Sequence, residues 1–117
     1  MVTLKDLAPC VRSQFYNWDK KMLNSWYLTD HEREEGFCKE LGILVLLNAS
    51  ISLNISPERV QRYLDISPDT FYGYMSKLNF AIENKEKAGY WPTLRDVLVR
   101  KTRLSLNCYR WKMRNLS

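Results

Sequence analysis

The chain has 117 residues, a formal net charge of +5, and ordinary fractions of apolar (45%) and charged (26%) residues. This length suits one domain, 1–117, with a single core, and the composition excludes a disordered chain. No apolar run approaches the roughly 20 residues of a membrane span, and the N-terminus lacks the features of a signal peptide. We therefore expect a cytoplasmic protein without membrane contact.

The residues needed for common catalytic and metal sites are scarce. The three cysteines, Cys10, Cys38 and Cys108, are widely spaced, and His31 is the only histidine. This pattern argues against a disulfide framework and a zinc site, and it favours small buried thiols in a reducing compartment. No glycine-rich phosphate loop is present. We expect no catalytic residues, no metal, no cofactor and no enzymatic activity.

Positive charge is concentrated near the C-terminus. Residues 1–55 carry a formal charge of −1, residues 56–88 carry zero and residues 89–117 carry +6. Such an asymmetry is typical of a segment that meets an anionic partner.

The N-terminal third shows helical periodicity. A short helix over Thr3 to Ala8 is expected to be interrupted by Pro9, which then begins a longer helix. Apolar residues recur along one side of that longer helix, and the aromatic members suggest a core stripe or a dimer seam. The candidate seam consists of Phe15, Trp18, Met22 and Trp26.

The second long helix begins at the capping-box pattern of residues 29–32 and becomes almost wholly apolar toward its end. It is expected to be the central helix, with an inward side formed by Phe37, Leu41, Leu44, Val45 and Leu47. The polar, β-branched residues 48–54 are expected to form a loop.

Two similar start signals follow, Ser56-Pro57-Glu58 and Ser67-Pro68-Asp69. In each, the serine can cap a helix, the proline suits its first position and the acid faces the positive end of the helix dipole. The first helix must end before Pro68. The second carries an apolar face of helical period, formed by Phe71, Tyr74, Met75, Leu78 and Ile82.

The stretch Ser56–Leu78 resembles the helix-turn-helix of DNA-binding transcriptional regulators. The resemblance implies a small shared core of Val60, Leu64, Ile66, Phe71, Met75 and Leu78. It also implies a recognition face formed by Asp69, Thr70, Tyr72, Gly73, Ser76 and Lys77. Gln61 and Asp65 depart from the usual small residue and turn glycine, although aspartate is among the few residues that tolerate a left-handed conformation. Residues 28–34 resemble the opening of LuxR-type domains, but the distance from Leu28 to Ile66 is roughly ten residues too long for that family.

Gly89 and Pro92 mark a break, after which Thr93 can cap a basic C-terminal helix, 93–114. Its inward side is expected to consist of Leu94, Val97, Leu98, Leu104, Cys108 and Trp111. The strict alternation of residues 103–108 leaves a β-hairpin wing, paired with residues 97–99, as an alternative.

Together these features predict an all-α protein of about five helices that contains a helix-turn-helix, with the C-terminal wing possible. The predicted function is that of a small transcriptional regulator that binds double-stranded DNA as a homodimer. The expected phosphate contacts are Arg59, Arg62, Ser67, Arg95, Arg100, Lys101, Arg103, Arg110 and Lys112. The alternative is a small helical adaptor or inhibitor, of a kind that a phage or plasmid could encode, whose tryptophans and tyrosines contact a protein partner.

Overall fold

A computed structural model describes residues 4–14, 38–83 and 94–116, which form five helices and no strand. The helices are α1 (Leu4–Ser13), α2 (Cys38–Ser52), α3 (Pro57–Leu64), α4 (Pro68–Glu83) and α5 (Leu94–Leu116). The all-α prediction is therefore confirmed for this part of the chain. The candidate dimer seam and the capping box at residues 29–32 lie outside the described residues.

α2 is the central helix and packs against α1, α4 and α5. Four consecutive residues, 44–47, are buried, which requires neighbours on more than one side of the helix. The prediction of a central apolar helix is thus confirmed for Leu41, Leu44, Val45 and Leu47, whereas Phe37 lies outside the described residues.

The loop predicted over residues 48–54 is wrong, because α2 continues to Ser52. Ala49 and Ser50 are buried on it. Ser50 is accommodated because its hydroxyl donates a 2.7 Å hydrogen bond to the Leu46 carbonyl one turn earlier. A polar residue whose hydroxyl makes its hydrogen bond within its own helix does not end a buried helix.

The predicted interruption at Pro9 is also wrong, since α1 runs through Pro9 to Ser13. Pro9 lies on the exposed side of the helix and lacks the N–H that would bond to the Lys5 carbonyl. On the opposite side Leu7, Cys10 and Val11 are buried in the core. Packing of that face outweighs the loss of one hydrogen bond.

α2 and α3 end in the same way. Asn54 and Asp65 have positive φ angles of 57° and 54°, and the following isoleucine N–H bonds five residues back, to Ser50 and to Gln61. These are the bonds of a Schellman motif, which satisfies the last carbonyls of a helix. The left-handed conformation expected to be tolerated at Asp65 is observed; the one at Asn54 was not predicted.

α5 is a single helix of 23 residues, so the β-hairpin alternative for residues 97–108 is wrong. It packs against α1, α2 and α4. The buried side is centred on Leu98, Thr102, Ser105, Leu106 and Tyr109. Thr102 accepts a 3.0 Å hydrogen bond from the Asn48 side chain of α2, which satisfies a buried hydroxyl between the two helices.

Candidate nucleic-acid interface

α3 and α4 are joined by only three residues, 65–67, and both start signals act as predicted. Ser56 accepts from the Arg59 backbone N–H at 3.4 Å, and Ser67 accepts from that of Thr70 at 3.2 Å. The Ser67 hydroxyl also donates to the Thr70 side chain at 3.0 Å. Ser67, a predicted phosphate contact, is therefore already engaged as the cap of α4.

The apolar residues that the sequence assigns to this helix pair lie on the inside. Val60, Phe71 and Leu78 are buried, and the remaining three pack against the core with partial exposure: Leu64, Ile66 and Met75. Their burial fixes the orientation of α4 and leaves its other side in solvent.

That outer side contains all six residues of the predicted recognition face, and each is exposed: Asp69, Thr70, Tyr72, Gly73, Ser76 and Lys77. Tyr72 is 59% exposed, and Phe80, which the sequence interpretation did not include, is 69% exposed two turns further along. The face also has an acid at each end, Asp69 and Glu83. It is therefore aromatic and polar, and it does not attract phosphate strongly.

Lys77 is the only cation on the described length of α4, and it is paired with Glu40 of α2. The Lys77 Nζ donates to the Glu40 carboxylate at 2.7 Å and lies 5.8 Å from the centre of the Tyr74 ring. The hydrogen bond and charge of Glu40 raise the pKa of Lys77. The carboxylate also offsets the positive charge that Lys77 would present to DNA. This pairing joins residues 37 positions apart and leaves no pattern in the sequence.

The first helix of the pair, α3, carries two cations. Arg59 and Arg62, one turn apart, are exposed on α3.

The strongest concentration of positive charge lies on α5. Its exposed residues recur at spacings of three and four, which places them on one line opposite the buried side. This arginine stripe consists of Arg100, Arg103, Asn107, Arg110 and Arg114. From Arg100 to Arg114 it extends about 21 Å at 1.5 Å per residue. After Asp96, α5 has no acidic residue.

The other predicted phosphate contacts on α5 are less available. Lys101 is partly buried and donates a 2.8 Å hydrogen bond to the Gln14 carbonyl at the end of α1, and burial lowers its pKa. Arg95 forms a long 3.9 Å ion pair with Asp96, and Lys112 is half-buried. Lys101 thus joins two helices within the fold.

Trp111 was predicted to face the core, but it is 63% exposed and borders the arginine stripe. The error follows from selecting only apolar residues for the inward side of α5. The true inward side includes Thr102 and Ser105, whose hydroxyls are hydrogen-bonded. When these two residues are included in the inward side, its centre lies on the part of the helix that faces away from Trp111.

A cavity of about 440 Å³ lies between α2 and α4. Its walls are mostly apolar, and the Glu40–Lys77 pair and Phe80 contribute to its lining. A second cavity of about 290 Å³ lies between α2 and the helix pair, beside Ile51 and Tyr72. Both cavities therefore border the exposed aromatic side of α4.

Within the described residues, no group of three or more potential metal ligands occurs and no helix has the length and apolar character to cross a bilayer. Comparison of the chain with protein-family models, curated proteins and solved structures found no match.

Proposed function

We propose that this protein is a small cytoplasmic transcriptional regulator that binds double-stranded DNA. In this proposal α3 and α4 form a helix-turn-helix, and α5 supplies contacts to the phosphate backbone. The single observation that carries the proposal is the arginine stripe. Four guanidinium groups on one exposed line can contact several phosphates of a polyanion at once, whereas a partner with a single negative charge would engage only one of them.

The two surfaces have different roles in this proposal. The arginine stripe, with Arg59 and Arg62, provides affinity that does not depend on sequence. α4 contributes groups that can contact base edges, above all Tyr72 and Ser76, while Gly73 leaves room for close approach. Since the only cation on the described α4 is paired with Glu40, sequence preference from one copy is expected to be weak.

A homodimer would compensate for that weakness by binding two half-sites. We retain the predicted seam of Phe15, Trp18, Met22 and Trp26 as its proposed interface. Measurement of molar mass by light scattering tests this part separately from DNA binding.

The first test is a fluorescence-anisotropy titration of a random-sequence duplex at low and moderate salt. The proposal predicts binding that weakens steeply, by at least about tenfold between roughly 50 and 200 mM salt, as expected when several phosphates are contacted. Absence of binding at the lower salt concentration would contradict it.

A second candidate function is a protein-binding adaptor or inhibitor, favoured by the aromatic side of α4. Tyr72 and Phe80 are exposed beside a mostly apolar cavity, which is the composition of an interface anchor. Under this hypothesis the arginine stripe contacts an acidic protein surface. Loss of partner binding in Phe80→Ala, with no affinity for duplex DNA in the unsubstituted protein, would support it over the regulator.

A further inference from the structure

Two cysteines that are 98 positions apart in sequence meet between α1 and α5. The Sγ atoms of Cys10 and Cys108 lie 2.6 Å apart, with Cys108 donating toward Cys10. Cys10 is fully buried, whereas Cys108 is partly exposed. The sequence interpretation treated all three cysteines as separate buried thiols, and the fold overturns that separation for these two.

This arrangement needs little change to become a covalent bond. A disulfide has an S–S length of about 2.05 Å, so the two sulfur atoms are only about half an ångström too far apart. α1 and α5 already pack against each other. Closure therefore brings together, by this amount, two sulfur atoms whose helices are already in contact.

We propose that Cys10 and Cys108 are a reversible disulfide site, closed by a peroxide-class oxidant and reopened by a dithiol reductant. The bond ties the N-terminal helix to the helix that carries the arginine stripe. This proposal does not depend on the DNA-binding function.

The order of the steps follows from exposure. Cys108 is the thiol that solvent can reach, so its thiolate attacks the peroxide, an S–O bond forms, the O–O bond breaks and hydroxide or water leaves. Cys10 then attacks the sulfur of the resulting sulfenic acid, the S–S bond forms and the S–O bond breaks. Cys10 gives up its proton to solvent before this attack, and the departing hydroxide takes up one proton to leave as water. Two thiols lose two electrons in total, and hydrogen peroxide is reduced to two waters.

Cys10 controls the rate of the second step. Burial raises the pKa of Cys10, which is about 11 in the reduced pair, and the positive charge of Lys112 opposes this only in part. Little Cys10 thiolate is present at neutral pH, so closure is expected to be slow there and faster in mild alkali.

The test uses the reduced full-length protein treated with hydrogen peroxide under native conditions. Closure removes about 2 Da from the intact mass, and a digest run without reductant contains a peptide that joins Cys10 to Cys108. Dithiothreitol restores the original mass. The oxidised protein melts at least about 5 °C higher, because a bond closing a loop of this length restricts the unfolded chain.

Two variants complete the experiment. Cys38→Ser should form the same cross-link, and Cys108→Ser should form no intramolecular cross-link under the same conditions. A cross-link through Cys38, a dimer joined through Cys108, or oxidation of Cys108 to sulfinic acid with Cys10 left reduced would each overturn the proposal.

Discussion

At the scale of single residues, two phenylalanines of α4 have opposite environments. Phe71 is 5% exposed and meets the Tyr72 ring edge-on, with ring centres 5.3 Å apart, whereas Phe80 is 69% exposed. The fold therefore assigns Phe71 to the core and Phe80 to the solvent-exposed surface.

The Phe71→Ala substitution should lower the free energy of unfolding by about 3–5 kcal/mol, because it removes a buried ring and leaves a cavity. Phe80→Ala is the matched control in the same helix and should change stability by less than about 0.5 kcal/mol. Urea unfolding of both variants measures this. Equal losses in the two proteins would show that the orientation of α4 is wrong.

The Glu40–Lys77 pair gives a prediction about DNA. Glu40→Gln removes the carboxylate that offsets Lys77 while keeping the size and polarity of the side chain. Affinity for duplex DNA should rise roughly two- to fourfold at low salt, since one more cation becomes available and one repulsive charge is lost. Lys77→Ala should lower affinity instead. The same anisotropy titration measures both, and a Glu40→Gln protein that binds more weakly would contradict the assignment of this face to DNA.

At the scale of elements, the chain repeats one local device to separate α2, α3 and α4. Residues 54–57 (Asn-Ile-Ser-Pro) and 65–68 (Asp-Ile-Ser-Pro) each place a left-handed residue, a core isoleucine, a capping serine and a helix-starting proline in succession. Each helix end is thereby coupled to the next helix start, so the turns are defined by short-range chemistry.

Glycine at the left-handed positions should stabilise the protein, because it adopts positive φ without the strain of a side chain. Asn54→Gly is expected to add up to about 1 kcal/mol to the free energy of unfolding. Asn79→Gly, at an exposed position inside α4, should instead cost a few tenths of a kcal/mol. Thermal unfolding of the two variants compares them directly. Stabilisation by both, or by Asn79→Gly alone, would argue against the turn geometry.

The difference between short-range chemistry and packing against distant helices explains which elements the sequence could predict. Residues within one or two turns of each other determine where α3 and α4 begin and which apolar residues pack between them. The structure agrees with these predictions. The end of α2, the continuity of α1 at Pro9 and the buried side of α5 depend on packing against distant helices. In each case a polar residue or a proline that looked disruptive was accommodated, as with Ser50, Thr102 and Pro9.

The candidate site divides in the same way. The exposure of the predicted face of α4 follows from the position of its apolar side, which the sequence displays. Pairings between distant helices leave no such trace: Lys77 with Glu40, Lys101 with the end of α1, and Cys10 with Cys108. The predicted phosphate contact Lys101 is engaged inside the fold for this reason, whereas Ser67 is engaged locally, as the cap of α4.

At the scale of the whole molecule, the arginine stripe and the exposed aromatic residues of α4 lie on separate helices. The exposed side of α4 is aromatic and bordered by acids, while α5 carries the arginine stripe. The proposed regulator uses this separation, with α5 and α3 attracting the phosphate backbone and α4 contacting the bases. The central claim of the proposed function is that the arginine stripe on α5 contacts phosphate groups.

The decisive measurement is the salt dependence of binding to a random-sequence duplex for two variants of equal net charge. Arg100→Gln with Arg103→Gln removes two cations of the stripe, and Lys5→Gln with Arg12→Gln removes two exposed cations of α1. If the stripe contacts phosphate, the first variant should lower the slope of log affinity against log salt by up to about 1.8, and the second should leave it nearly unchanged. Equal slopes for the two variants, or no DNA binding by the unsubstituted protein, would contradict the account.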